Sequence, residues 1–141
     1  MANYNATTRT NYFRVKDTKA FEAWCADLNL DFWKQEAPPD TYYACTADSG
    51  ACPGWPSQRL VIDEDGDEDA VDIDFTGELA NHLHPHDCAV LMEIGSEKLR
   101  YLVGVAIAVH PDGRLHSVNL QDIYEAARKA FPGMSVTEAQ Y

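Results

Sequence analysis

The chain has 141 residues, 45% hydrophobic and 11% aromatic, which suits one domain spanning 1–141 with a real core and excludes global disorder. Eleven basic residues face 23 acidic ones, a net charge of −12. That sign argues against direct binding to DNA, RNA or an anionic membrane surface, and favours cations or basic protein surfaces as partners.

The opening MANYNATTRTNYF has neither a basic region nor an apolar core of signal-peptide type. Thr8–Lys16 mixes β-branched and aromatic residues in rough alternation, predicting a strand. Asp17 is a plausible N-cap for a helix whose Phe21, Trp24, Cys25 and Leu28 share one face, with Asn29 ending it. Leu30–Gln35 and Thr41–Ala47 read as a strand pair around the turn-forming APPD. DSGACPGWPS (48–57) holds two glycines and two prolines and reads as a loop. Gln58–Ile62 is a short strand leading into an acidic run.

Thr76–Leu83 predicts a short helix capped by Thr76 and stopped by Pro85. Ala89–Ile94, Leu99–Val109 and Leu115–Val118 form a three-stranded meander, whose nearly all-apolar middle strand is expected to be covered on both faces. That apolar run is too short to span a bilayer. Asn119 is expected to cap a last helix with Ile123, Ala127, Ala130 and Phe131 on one face. The order predicts an α+β domain: a mainly antiparallel sheet of about five to six strands with two to three helices packed on it. Cys25, Cys45, Cys52 and Cys88 show no CxxC spacing, and a buried, reduced Cys25 fits a cytoplasmic protein.

The acidic run, DEDGDEDAVDID at 63–74, places eight carboxylates in twelve positions with no lysine or arginine. Without them, fifteen acidic residues face eleven basic ones, a balance near −4. With Gly66 at position 6 of an EF-hand loop, Asp63, Asp65, Asp67, Asp69 and Asp72 fall on positions 3, 5, 7, 9 and 12. Position 1 is then Val61, and no glutamate closes the loop. An extended run of this length spans ~40 Å, spacing its carboxylates ~5 Å apart against ~3.4 Å for phosphates along one strand. Three readings stand: a solvated acidic loop, a phosphate-like strip facing a basic partner, or weak cation binding. Alternation of Val71, Ile73 and Phe75 with Asp72 and Asp74 predicts that 71–75 anchors an apolar face.

HLHPHDC offers His82, His84, His86 and Cys88 as candidate ligands for zinc or nickel, with the alternative that they fill a turn around Pro85. The order is close to HxHxDH with its last two residues transposed, and no further ligands follow at suitable distances. No GxSxG, P-loop, GxGxxG or HExxH is present. Glu93, Glu97, His110 and His116 flank turns of the meander without a motif to join them. Trp55, in CPGWP near Tyr42 and Tyr43, is a candidate binding anchor, the alternative being a ring folded onto the core.

Two stretches, RTNYFRVKDTKAFEAW (9–24) and MEIGSEKLRYLVGVAIAV (92–109), resemble a family of small acidic proteins of plasmids, integrative elements and phages. The resemblance covers the first quarter and last third of the chain and omits the acidic run. It implies a mobile-element setting, where acidic proteins often inhibit host defence nucleases in anti-restriction or anti-CRISPR fashion, several by mimicking DNA. It transfers no catalytic residue. The expectation is therefore a non-enzymatic binding protein without cofactor, which occludes a basic, nucleic-acid-binding surface of a host complex. Asp63, Glu64, Asp65, Asp67, Glu68, Asp69, Asp72 and Asp74 would serve as phosphate surrogates and Trp55 as anchor. A homodimer is compatible with this, and a metal-binding protein or metal-dependent enzyme centred on HLHPHDC is the alternative.

Overall fold

A computed structural model describes residues 4–46, 54–97 and 101–139. Among them lie nine strands and three helices: β1 (Tyr4–Thr10), β2 (Phe13–Arg14), α1 (Thr18–Asp27), β3 (Leu30–Gln35), β4 (Thr41–Thr46), β5 (Gln58–Ile62), β6 (Glu68–Asp72), α2 (Phe75–His82), β7 (Ala89–Glu97), β8 (Tyr101–Val109), β9 (Leu115–Asn119) and α3 (Asp122–Ala130). The fold is α+β with antiparallel sheets: a four-stranded β1-β7-β8-β9, a three-stranded β2-β4-β3, and a separate β5-β6 hairpin.

The strand count exceeds the expected five to six, and two of the added strands have clear origins. Thr8–Lys16 is cut in two where Asn11 takes over the pairing. Its side chain accepts from Val90 N at 2.7 Å and donates to Cys88 O at 3.0 Å, while its backbone N donates to Val90 O. The acidic run also supplies β6. Residues 47–53, which hold most of the expected loop and Cys52, and residues 98–100, with the expected strand start at Leu99, lie outside the described residues.

Local chemistry sets the ends of α1. Asp17 accepts from Ala20 N at 3.1 Å as N-cap, and Asn29 reverses the chain at φ 56, a conformation asparagine tolerates. Phe21 sits at the centre of the core, with the rings of Phe13, Trp24, Phe32, Tyr42 and His82 at centroid distances of 4.9–6.5 Å. Cys25 is buried beside it, and burial pushes its thiol up to about 12, that of an inert thiol.

Alternation divides the four-stranded sheet into two faces. Thr8, Thr10, Ala89, Leu91 and Val109 point into the core. The opposite face carries Met92, Ile94, Leu102 and Val118, all more than half exposed, around Gly104, Ala106 and Ala108 of β8. Contrary to the expected coverage of both faces, the outer side of the middle strand is flanked by exposed side chains, and apart from Val109 none of its described residues is buried. The last helix also departs from expectation. Gln121, not Asn119, occupies the N-cap position, and Asp122 reaches back to accept from Asn119 N at 2.8 Å. None of its residues is buried, and Ile123 and Phe131 are each 62% exposed.

Candidate functional site: an acidic hairpin arm

The acidic run is a structured hairpin. β5 and β6 pair from Gln58↔Asp72 to Ile62↔Glu68, and nine of their ten residues are exposed, so the pair forms an arm of ~17 Å beyond the core. An isolated two-stranded ribbon is marginal in water, so this one depends on its tip and base. At the tip, Asp63 Oδ1 accepts from Asp65 N and Asp67 N, both at 2.9 Å. Gly66 N donates to Asp63 O, and Gly66 takes the left-handed φ of 83 that this turn needs.

At the base, the Arg59 guanidinium joins three elements. It pairs with Asp27 at the end of α1 and with Glu78 Oε1 of α2 at 2.5 Å, and Glu78 Oε1 also accepts from Trp24 Nε1 at 2.9 Å. The Arg59 hydrogen bond holds the Glu78 carboxyl below the usual range, against the opposing effect of burial. Ile73 N donates to Ser57 O where the two strands enter the body.

The eight carboxylates separate into two groups. Asp63 closes the tip turn, Asp69 Oδ1 accepts from Ala70 N, Asp72 accepts from Gln58 Nε2, and Asp74 caps α2 by accepting from Gly77 N. Glu64, Asp65, Asp67 and Glu68 are exposed at the tip, where their charge is directed to solvent. The expected apolar anchor over 71–75 holds at Ile73 and Phe75, with Asp72 and Asp74 outward, but not at Val71. The strand ends at Asp72, because Asp74 caps the helix in place of Thr76. Val71 is 46% exposed, Ile73 is half-buried, and Phe75 is core as the first residue of α2. The arm has its own apolar surface instead: Leu60 and Ile62 are 67% and 73% exposed, opposite Ala70 and Glu68.

Trp55 folds back. It stacks on Phe75 at 5.6 Å, packs against the core and donates its backbone N–H to Glu93 Oε1. The exposed rings lie elsewhere. Trp33 stacks on Tyr43 at 4.9 Å, Tyr12 meets Tyr43 edge-on at 5.1 Å, and the Arg9 guanidinium sits 4.7 Å over Tyr43. Period-two alternation could have found Trp33 and Tyr43, since Phe32 and Tyr42 beside them point inward.

The residues of HLHPHDC separate. His82 lies against Trp24 and Phe21 at 5.1 and 6.0 Å, and burial, helped by Lys16, pushes its pKa down. Asp87 is clamped by Arg14, which reaches Oδ1 at 2.7 Å and holds the carboxyl below the usual range. His84 Nδ1 accepts from His86 N, and Cys88 is exposed. Among the described residues, no three histidine, cysteine or acidic side chains gather where they could hold a metal ion. No helix among them is long and apolar enough to cross a membrane.

Fold and site together define an α+β protein bearing a projecting acidic arm. No protein-family model, curated protein or solved structure matches the chain.

Proposed function

We propose that this is a non-enzymatic, cytoplasmic binding protein of a mobile genetic element or phage. Its acidic arm occupies a basic, nucleic-acid-binding surface of a host defence complex, in the manner of anti-restriction or anti-CRISPR inhibitors. One observation carries the reading: carboxylates are concentrated on the tip and outer strand of an exposed arm whose base is tied to both core helices. A rigid attachment presents charge to a partner at a defined place, which a free acidic tail does not. Such a strip draws on the same Coulombic attraction that a basic channel offers to phosphates. Leu60 and Ile62 add apolar contact beside the charge. The resemblance of residues 9–24 and 92–109 to proteins of mobile elements supports the same setting.

The test compares the parent with a variant carrying Glu64→Gln, Asp65→Asn, Asp67→Asn and Glu68→Gln. These side chains lie outside the tip's hydrogen bonds, so the variant is expected to fold and melt like the parent. Each is immobilised and exposed to bacterial host lysate at low salt, then eluted with rising salt and, separately, with duplex DNA. The parent is expected to retain nucleic-acid-binding proteins that both eluents release. The variant is expected to bind them roughly 10- to 100-fold more weakly, at about the strength of a few exposed ion pairs. Equal retention on parent and variant refutes the reading.

A further inference from the structure

The outer face of the four-stranded sheet leads, through Leu120, into α3, none of whose residues is buried. Leu120 joins them, because its side chain lies over Gly104 in the middle of the face, and a Cβ at that glycine would come within 2.7 Å of it. Met92, Ile94, Leu102 and Val118 on the sheet and Ile123 and Phe131 at the two ends of the helix are each 52–70% exposed. At ~150–200 Å² per open large apolar side chain, these six with Leu120 present roughly 700 Å². Summed over the sheet face and the helix, that area approaches the ~800 Å² that each partner contributes to a standard interface.

Charge selects the occupant. Twenty-three of 141 residues are acidic, yet among the described residues this face of the sheet carries no carboxylate, and its one formal charge is Arg9 on β1. A basic partner would find nothing to pair with here. Two copies of a strongly acidic chain, by contrast, can meet on this face without setting carboxylate against carboxylate. The helix carries opposite charge at its two ends as well: Asp122 and Glu125 lie in its first turn, Arg128 and Lys129 in its last, with Glu125 and Lys129 already paired at 3.2 Å within one helix. Two copies of α3 running antiparallel across a two-fold axis would place each acidic end beside a basic one.

We propose that the protein forms an isologous homodimer with a second copy of this chain through the outer face of β7-β8-β9 and the apolar stripe of α3. Sedimentation of the full chain at tens of micromolar is expected to give about 31 kDa, twice the 15.7 kDa of one chain. The double variant Ile94→Lys/Val118→Lys is expected to raise the dimer dissociation constant at least 100-fold, and Ile123→Lys alone about 10-fold. All three positions are exposed, so circular dichroism and thermal melting of the monomeric variants should match a folded chain. Raising salt from 0.05 to 0.5 M should leave the dimer intact or tighten it, because screening removes net repulsion. A parent that stays monomeric at 100 µM overturns the proposal. So does a dimer that survives both variants, as one built on the β9 edge would, and so does a dimer that salt dissociates.

Discussion

Removing the ring of Phe21 should test whether α1 is held as the packing implies. The ring is fully buried and is surrounded by five others, from β2, α1, β3, β4 and α2. Phe→Ala in a core costs ~3–5 kcal/mol, and several edge-on ring contacts push this site to the upper part of that range, about 4–5 kcal/mol. That is a large share of the ~5–15 kcal/mol by which a domain is stable. Phe21→Leu keeps most of the volume and loses only the ring edges, so about 1.5 kcal/mol is expected. Urea unfolding followed by tryptophan emission measures both, with Trp24 only 6.0 Å from the substituted ring. Because α1 also carries Asp27, one of the two carboxylates gripping Arg59, Phe21→Ala should loosen the base of the arm as well. A cost below ~2 kcal/mol for Phe21→Ala would refute this account of the core.

Two further outcomes follow from the side chains around α2. Asp74 acts as a cap as well as a charge, so Asp74→Ala should lower stability by about 1 kcal/mol while Asp74→Asn, which keeps a capping oxygen, should change it little; equal losses in thermal melts would contradict that role. Stability should also fall on acidification in two stages. His82 is held neutral by burial, so its folded pKa lies below the unfolded ~6.5 and stability declines as pH drops from there; the unfolded chain takes up the proton first. Glu78 and Asp87, whose folded values are lowered by Arg59 and Arg14, add their losses at lower pH, from the ordinary carboxylate range, where the unfolded chain protonates, down through those folded values. Urea midpoints between pH 7.5 and 5.5 should slope in the parent and flatten in His82→Phe; parallel slopes would assign the first stage elsewhere.

Short-range chemistry made much of this fold legible. The β3–β4 pair around APPD, the limits of β5, the Asp17 cap and the Asn29 reversal each depend on residues within about four positions of one another. What the sequence hid depends on distant partners. Nothing local marks Asn11 as the residue that breaks the first strand, because its partners Cys88 and Val90 are 77 and 79 residues away. Arg14 and Asp87, 73 apart, form a clamp that removes one acid from the histidine-rich segment. The exposed flanks on the outer side of β8 were equally hidden, since a run of apolar residues looks the same whether one side or both are buried within the chain. At the site, the density of acids was plain in the sequence. The pairing of β6 with Gln58–Ile62 was not, because carboxylates are poor strand formers and the hairpin is fixed instead by its Asp63 turn and the Arg59 tie.

The arm also explains how a chain of −12 can keep a core of ordinary size. At physiological salt, exposed charges more than ~8 Å apart are largely screened from one another. An arm of ~17 Å therefore holds Glu64, Asp65, Asp67 and Glu68 about two screening lengths from its base, and without those four the chain has 19 acidic residues against 11 basic, a balance near −8. Repulsion among tip residues is then borne by the tip turn, which Asp63 stabilises with two backbone hydrogen bonds. The same separation lets two opposite association chemistries share one small chain. On the proposed function the arm would attract basic surfaces and lose affinity with salt, and in the proposed dimer the acid-free sheet face would join apolar surfaces and not lose it. A salt titration that moved both associations in the same direction would mean that one of these two surfaces has been assigned the wrong partner.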